Sequence, residues 1–271
     1  MELISILLIS PCYSEENHFG VLRVAHAGGG INGRTYTNSL DALNFNYEKG
    51  FQYFELDFSF TKDNCLVCIH DWNESFKHSF DLTTKERPTL EAFTFLIKNK
   101  SLFEECTLKS LAIWMLEHPY AVIITDIKEK NIDGLRRIAK ALPNSKERVI
   151  PQIYQPENFS IVKSLKFKSV IWTLYRYTGS TEEVLQHCKE FYGSFAITMP
   201  IRRAKTELPK KLKEKNIPTY VHTINSEEEA MKYIVEYKIS EVYTDFLHAT
   251  QDIVGIDEKY QKGSIFNATS Q

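Results

Sequence analysis

Short apolar runs alternate with amphipathic segments along most of the chain, and this rhythm predicts repeated strand–helix units. The segment 51–58 is rich in aromatic residues and predicts a strand. After Leu108 the rhythm is regular, with strands predicted over 121–127, 148–154, 169–174, 195–199, 219–223 and 241–245. The intervening helices are predicted over 108–118, 132–142, 158–165, 181–190, 204–215 and 226–237.

A further strand is predicted over 21–25, followed by a helix from Leu40 to Tyr47 that Thr37 or Asn38 caps. With a hairpin counted as an extension of the second strand, the chain has about eight strand–helix units. Its 271 residues also suit one (β/α)8 barrel. We therefore predict the α/β class and a single TIM (β/α)8 barrel domain over residues 1–271.

Two segments do not follow the rhythm. Residues 72–107 hold scattered aromatics among polar residues, and we interpret them as a small insertion after the strand-hairpin that covers the substrate site. Residues 1–20 begin with an apolar run that suits either a buried segment or a signal peptide. The compartment would be the cytoplasm in the first case, and the periplasm or the exterior in the second. No stretch is long enough to span a membrane.

The hairpin depends on the turn signal that follows the aromatic strand. If Asp63-Asn64 forms a two-residue loop, Lys62 pairs with Cys65 and Asp57 lies opposite His70. The hairpin would then carry this histidine beside the carboxylates of the strand. A slip of one residue would turn the histidine to the other face.

Composition narrows the class of partner and the use of cysteine. The net charge of −2 implies no general attraction to nucleic acid. Cys65 and Cys68 lie three apart on a strand and so face opposite sides, which disfavours a shared metal or a mutual disulfide. We interpret the cysteines as buried or half-buried thiols.

Several ionisable residues fall at predicted strand ends, where the active sites of TIM barrels lie. Glu55 and Asp57 are two apart on one strand and so share a face, and Asp126 ends the next strand of the barrel. Three carboxylates offer only oxygen ligands, which suit Ca²⁺ or Mg²⁺ rather than zinc. The sequence therefore predicts a divalent cation held by these three residues.

Other side chains near the same mouth suit acid–base chemistry on an anion. Histidine in general titrates near neutral pH, so His26 and His70 are candidates for general acid and base. Lys128 shares a face with Asp126 and is placed to neutralise a phosphate oxygen, although a surface lysine is the other interpretation. Backbone N–H groups of the loop at Gly28 offer a further anion contact.

In order and spacing, the motifs resemble those of the glycerophosphodiester phosphodiesterase family, within the phospholipase C-like TIM-barrel phosphodiesterases. The matching residues span nearly the whole chain: His26, Asn38-Ser39, Glu55-x-Asp57, Thr61-Lys62-Asp63-Asn64, His70-Asp71, Asp126-x-Lys128, Thr223-x-Asn225 and Thr244-Asp245.

This resemblance implies a metal-dependent hydrolase of small or lipid-derived phosphodiesters. It implies that His26 and His70 are the acid–base pair and that Lys128, Gly28, Asn38 and His222 contact substrate. In the family mechanism a neighbouring hydroxyl of the substrate attacks phosphorus, and water then opens the cyclic phosphate.

Departures from the family pattern make this a divergent branch. Ala27 stands where the family has arginine, and Arg34 or Arg23 are candidates to replace it. Asp126 replaces a glutamate, Thr37 another glutamate, and His222 a tryptophan. The missing arginine motivates one alternative, a barrel that binds phosphodiesters or a partner without turnover.

Overall fold

Eight parallel strands close into a barrel in the computed structural model, which describes residues 22–249. The strands are β1 (Val24–Ala25), β2 (Tyr53–Phe60), β3 (Leu66–Cys68), β4 (Val122–Ile127), β5 (Val149–Ile153), β6 (Ser169–Thr173), β7 (Ser194–Pro200), β8 (Thr219–His222) and β9 (Glu241–Thr244). β3 is antiparallel to β2, and the other eight follow one another around the barrel. Although β1 has two residues, it pairs with both β2 and β9 and so closes the sheet. This confirms the predicted TIM barrel.

Helices connect most of the parallel strands and surround the barrel. They are α1 (Leu40–Glu48), α2 (Glu74–Phe80), α3 (Leu90–Lys100), α4 (Leu108–Glu117), α5 (Asn131–Ala141), α6 (Ser145–Arg148), α7 (Asn158–Ser164), α8 (Thr181–Cys188), α9 (Ile201–Ala204), α10 (Leu208–Lys213) and α11 (Glu227–Val235). Ser39, rather than Thr37 or Asn38, caps α1 by accepting from the Ala42 N–H. The single helix predicted over 204–215 is wrong, because Ala204 ends α9 and a new helix, α10, begins at Leu208. Pro209 lies in the first turn of α10, where proline is tolerated, but it would interrupt a helix that continued from Ala204.

The barrel core has an inner and an outer layer. Inside the barrel, apolar side chains from the parallel strands pack together: Val24, Ile124, Ile150, Ile171, Ala196, Tyr220 and Tyr243. Outside, alternate residues such as Phe54, Leu56 and Phe58 on β2 pack against the helices. Because side chains alternate along a strand, Glu55 and Asp57 point into the barrel, above its apolar filling.

The predicted hairpin register is wrong by one residue. Phe58 pairs with Cys68 and Phe60 with Leu66, so the loop contains Lys62, Asp63 and Asn64 rather than two residues. Asn64 takes a left-handed φ of 59°, and the Thr61 N–H donates to the Cys65 carbonyl at 2.8 Å. Continued beyond its last pair, this register would set Asp57 opposite Ile69 instead of His70.

The segment 72–107 contains α2, α3 and a separate aromatic cluster. Trp72, Phe76, Phe80 and Phe93 pack on one another beside α1 and the hairpin. Ser79 Oγ donates to the Tyr36 carbonyl at 2.6 Å, which ties the segment to the loop after β1. The role of this segment as a lid stays a prediction.

The prediction of free thiols is wrong for two cysteines. Cys68 and Cys106 form a disulfide with a Cα–Cα distance of 5.1 Å, which joins the two ends of the insertion. The strand geometry excluded a Cys65–Cys68 pair but gave no information on distant partners. Cys65 and Cys188 are free thiols.

The possible signal segment at 1–20 lies outside the described residues. Between residues 22 and 249, no helix combines the length and the apolar character that crossing a membrane requires.

Candidate active site

Three carboxylates meet at the carboxyl ends of β2 and β4. The register places Asp57 beside Asp126, with Glu55 one step deeper on the same face of β2. One oxygen from each of the three carboxylates lies within 4.8 Å of the other two. Glu55 and Asp57 are each only 3% exposed. The three carboxylates that the sequence predicted to lie together are thus close to one another in the structure.

Lys128 is the main counter-charge of this cluster. Its Nζ lies 2.6 Å from Asp57 Oδ1 and 2.9 Å from Asp126 Oδ2. Although burial opposes it, the two carboxylates raise the pKa of Lys128 far above its usual value. The hydroxyl of Tyr154 donates to the other oxygen of Asp126. Lys128 is therefore held against the acids as a permanent cation.

Backbone and amide groups fix the other carboxylate oxygens. The Ala27 N–H donates to Glu55 Oε2 at 2.9 Å. Asn38 makes a two-way contact with Asp57: its Nδ2 donates to Oδ2 at 3.1 Å, and its Oδ1 accepts from the Asp57 N–H at 2.9 Å. Asn38 is fully buried, so it orients Asp57 rather than facing the cavity.

His26 is fixed by a carboxylate from the other side of the barrel opening. Ala25 is paired with Phe54 on one side and Thr244 on the other, so His26 lies level with Glu55 and Asp245. His26 Nδ1 lies 2.9 Å from Asp245 Oδ1, and Asn225 Nδ2 donates to Asp245 Oδ2 at 2.8 Å. Although burial opposes it, the bond to Asp245 and the charge of Glu55 raise the pKa of His26 to about 9.

His70 reaches the same cavity despite the shifted hairpin register, because β3 ends at Cys68 and the chain leaves the sheet before the histidine. His70 Nδ1 lies 2.7 Å from Asp71 Oδ2, and Ser75 Oγ donates to the same carboxylate. The ring of Tyr36 stands between the histidines, with its centroid 4.7 Å from that of His26 and 5.6 Å from that of His70.

The charge balance fits a divalent cation. Lys128 contacts Asp57 and Asp126 but forms no ion pair with Glu55. Burial and the neighbouring charge of Asp57 raise the pKa of Glu55 to about 8. Oxygen donors less than 5 Å apart suit Ca²⁺, whose ligands lie at about 2.3–2.6 Å, or with a small contraction Mg²⁺. Glu55, Asp57 and Asp126 therefore form a donor set suited to a hard cation.

These side chains line a cavity of about 310 Å³. Its lining comprises His26, Tyr36, Glu55, Asp57, His70, Asp126, Lys128, Gln152, Tyr154, Thr173, Tyr175, Arg176, His222 and Tyr243. The predicted histidines, carboxylates, Lys128 and His222 are thus brought together.

Gly28 and Asn38, predicted as substrate contacts, do not line this cavity. Gly28 has φ +83°, which favours glycine, and a side chain there would point at Ala42, Leu43 and Leu56 of the core. Its carbonyl accepts from Asn46 Nδ2. Both residues support the loop that carries His26.

His222 forms one wall of the cavity with Tyr175, whose ring centroid lies 5.8 Å away. Burial and the charge of His26 lower the pKa of His222 to about 4, so its ring is neutral at pH 7. Its Nε2 is buried without a hydrogen-bond partner among residues 22–249.

Sequence reasoning missed Tyr36, Tyr154, Tyr175 and Arg176. Tyr154 ends the strand predicted over 148–154, so its position at a strand's carboxyl end was a usable signal. The others lie in loops, where periodicity gives no direction for the side chain.

Comparison with known proteins agrees with this geometry. The model of the glycerophosphoryl diester phosphodiesterase family matches residues 28–112, which include Glu55, Asp57 and His70. No curated protein matches the chain significantly.

Solved structures of similar fold are named as phosphodiesterases, two of the three below as glycerophosphodiester phosphodiesterases. A glycerophosphodiester phosphodiesterase from Thermotoga maritima is 22% identical, with a TM-score of 0.62 over 84% of this chain and 96% of that one. One from Parabacteroides distasonis is 16% identical, with a TM-score of 0.62 over 83% of this chain and 82% of that one. A phosphodiesterase from Oleispira antarctica, solved with the product sn-glycerol-3-phosphate, is 15% identical, with a TM-score of 0.63 over 82% and 92%. The chain is thus a TIM barrel that resembles the glycerophosphodiester phosphodiesterases.

Proposed function

We propose that the chain is a metal-dependent phosphodiester hydrolase that cleaves a glycerophosphodiester or a related lipid-headgroup phosphodiester. Its class is that of its family match, the phosphoric diester hydrolases. One observation carries the proposal: three carboxylates, two of them buried, face a single cavity together with two histidines that each have a carboxylate partner of their own.

In this proposal Glu55, Asp57 and Asp126 hold Ca²⁺ or Mg²⁺. When bound, such a cation polarises a phosphoryl oxygen and offsets the negative charge of the transition state. Tyr154 and Asn38 keep Asp126 and Asp57 oriented by the hydrogen bonds described above. Lys128, already beside two of the carboxylates, places its ammonium next to the bound phosphate.

The two histidines have different roles in this proposal. His26, with a pKa of about 9, carries a proton at neutral pH and donates it from Nε2 to the leaving alcohol. His70 has Nδ1 turned to Asp71, which leaves Nε2 to accept the proton of the substrate's neighbouring hydroxyl. The hydroxyl oxygen attacks phosphorus to give a cyclic phosphate, and water opens it when the proton transfers run in reverse.

The wall of the cavity suits a small polyol. His222 and Tyr175 offer ring faces, and the phenol of the exposed Tyr175 is available to bond a substrate hydroxyl. Glycerol has this combination of carbon faces and hydroxyls. The product named in the Oleispira structure, sn-glycerol-3-phosphate, makes glycerophosphodiesters the first substrates to test.

Hydrolysis assays on purified protein test the proposal. Bis(p-nitrophenyl) phosphate and a set of glycerophosphodiesters are assayed after EDTA treatment and after return of single cations. We expect activity to require a cation and to be lost in His26→Ala and His70→Ala, while His78→Ala, on the exposed face of α2, retains it.

The alternative is a barrel that binds phosphodiesters without turnover. Ala27, in place of a family arginine, is the observation that favours it. Binding of sn-glycerol-3-phosphate with no turnover of any diester, across a full range of cations, would establish that alternative and reject hydrolysis.

A further inference from the structure

The cavity contains two permanent cations in very different surroundings. Lys128 Nζ contacts two carboxylates, at 2.6 and 2.9 Å, and its side chain is 24% exposed. Most of its charge is therefore balanced before any anion arrives. With a divalent cation bound, the charges of the three carboxylates, the cation and Lys128 sum to zero, so this cluster offers an incoming phosphodiester anion no net positive charge. A further positive group on the cavity wall would supply it.

Arg176 is the second cation, on the loop that follows β6. Its Nη1 donates to the Lys128 carbonyl at 3.2 Å, and its Cζ lies 4.8 Å from the centroid of the Tyr154 ring. The hydroxyl of that ring donates to Asp126. The guanidinium is thus placed on the cavity wall, one aromatic ring away from the acidic cluster.

No carboxylate within residues 22–249 forms an ion pair with Arg176; its contacts are the carbonyl and the ring. A guanidinium has five N–H donors in a planar fork that matches a phosphate, and stacking on a ring leaves its edge available. Most donors of Arg176 therefore have no partner in the described part of the chain that a phosphate would have to displace.

The other arginines of the described chain do not line the cavity. Arg23 lies at the opposite end of the barrel, where it contacts Glu227 at 2.6 Å and Glu241 at 3.4 Å. Arg34 contacts Asp81 of the insertion at 2.7 Å. These contacts exclude both arginines that the sequence offered as replacements for the residue at Ala27.

We propose that Arg176 is a substrate-binding residue that donates to a non-bridging phosphate oxygen and supplies the charge that Lys128 cannot. This inference rests on the proposed function for the identity of the ligand, a phosphate ester. The guanidinium that binds the phosphate then lies on the loop after β6 rather than in the turn after β1.

The test compares Arg176→Met and Arg176→Lys with Arg136→Met, which removes an exposed arginine on the outer surface of α5. Three quantities are measured for each protein: KM and kcat on a glycerophosphodiester, the Kd of sn-glycerol-3-phosphate by calorimetry, and the Kd of Ca²⁺. We expect Arg176→Met to raise KM and the Kd of the phosphate ester by roughly 10- to 100-fold, the range for a hydrogen bond to a charged group. Arg176→Lys restores part of this, and the Kd of Ca²⁺ is unchanged.

Two results overturn the inference. An unchanged Kd and KM in Arg176→Met would show that the guanidinium does not contact phosphate. A loss of Ca²⁺ affinity in the same variant would show that Arg176 acts by holding Tyr154 against Asp126.

Failure of the proposed function gives a different pattern. If wild-type protein hydrolyses no diester, the calorimetric comparison still decides the role of Arg176. Binding of sn-glycerol-3-phosphate that is lost in Arg176→Met supports it, and absence of binding in the wild type rejects it.

Discussion

Glu55 is the residue whose environment most depends on a bound cation. It is 3% exposed, one oxygen accepts from the Ala27 N–H, and burial beside Asp57 raises its pKa to about 8. At pH 7 without a cation this side chain is therefore mostly a neutral acid. A bound cation would hold it as a carboxylate and release its proton.

We predict that Glu55→Gln loses activity and binds Ca²⁺ at least about tenfold more weakly, because one charged ligand is removed. The cation-free variant should be at least as stable as wild type, since glutamine replaces a buried acid that is already protonated. Calorimetric titration with Ca²⁺ and thermal unfolding in EDTA measure both effects. Wild-type Ca²⁺ affinity in Glu55→Gln would show that this residue is not a ligand.

A second prediction concerns the proton on His26, which the contact with Asp245 stabilises. In the proposed mechanism this proton is donated, so kcat falls as pH rises through the pKa of His26, about 9. Asp245→Asn removes the carboxylate charge, and the alkaline limb should move to lower pH by roughly one pH unit. A pH–rate profile of each variant tests this, with Asp133→Asn on the surface of α5 as control. An alkaline limb that does not move would assign the general acid elsewhere.

At the scale of single residues, the sequence predicted the charged side chains at strand ends better than the side chains that the loops bring to the cavity. Glu55, Asp57, Asp126 and His26 stand at strand ends, where alternation gives each side chain a direction. Tyr36 does not lie at a strand end. Its φ of 58° is a left-handed conformation that no local sequence pattern predicts. Arg176 lies on a loop and is directed by Tyr154, a contact between residues far apart in sequence.

The element that departs most from expectation is the hairpin with its insertion. Sequence signals marked the turn, but a two-residue type I′ loop needs positive φ at both Asp63 and Asn64, and only Asn64 has it in the structure. Asparagine and aspartate tolerate this conformation without requiring it, so the sequence did not decide the loop length. The Cys68–Cys106 pairing depends on the course of the whole insertion. Strand and helix order elsewhere followed directly from periodicity, because each unit buries one face against its neighbours.

The insertion supports the active site through one short connection. Ser79, at the end of α2, donates to the Tyr36 carbonyl at 2.6 Å, and the Tyr36 ring separates the two histidines. The position of α2 depends in turn on the cluster around Phe93, which is fully buried. Loss of packing in this cluster should therefore disturb the positions of His26 and His70.

We predict that Phe93→Ala destabilises the insertion by about 3–5 kcal/mol, the usual cost of removing a buried phenylalanine. Limited proteolysis should cut within 72–105 before the barrel is cleaved. Since Tyr36 loses support, kcat/KM should also fall. Phe95→Ala, on the same helix but 62% exposed, is the matched control and should change neither quantity. If Phe93→Ala and Phe95→Ala resist the protease equally, contacts other than the Phe93 cluster stabilise the insertion.

At the scale of the whole molecule, the cavity makes the stability of the fold depend on pH. The pKa of Glu55 is about 8 in the folded state against an ordinary 4.5, and that of His26 is about 9 against 6.5. In both cases the folded state binds a proton that the unfolded chain releases at lower pH. Proton binding stabilises the folded state fully at pH values below the ordinary pKa of each group. This stabilisation is lost as the pH rises through the pKa that the group has in the folded state.

We therefore predict that the free energy of unfolding, measured by urea titration in EDTA, falls between about pH 5 and pH 9. The fall should be on the order of a few kcal/mol, since a tenfold difference in proton affinity between the folded and unfolded states corresponds to about 1.4 kcal/mol. Saturating cation should reverse it at high pH, where the carboxylates are free to bind, and at about 100 times its Kd should restore about 2.7 kcal/mol.

Glu55→Gln separates the two contributions to this pH dependence. It should lose the part between about pH 4.5 and 8, and added cation should no longer stabilise it. The part due to His26 should remain but end at a lower pH, because the charge of Glu55 no longer helps to raise the pKa of His26. If stability instead rises with pH in EDTA, the carboxylates of the folded protein are already well paired. Lys128 would then balance the whole cluster by itself, and the proposal of a cation at these three residues would lose its physical basis.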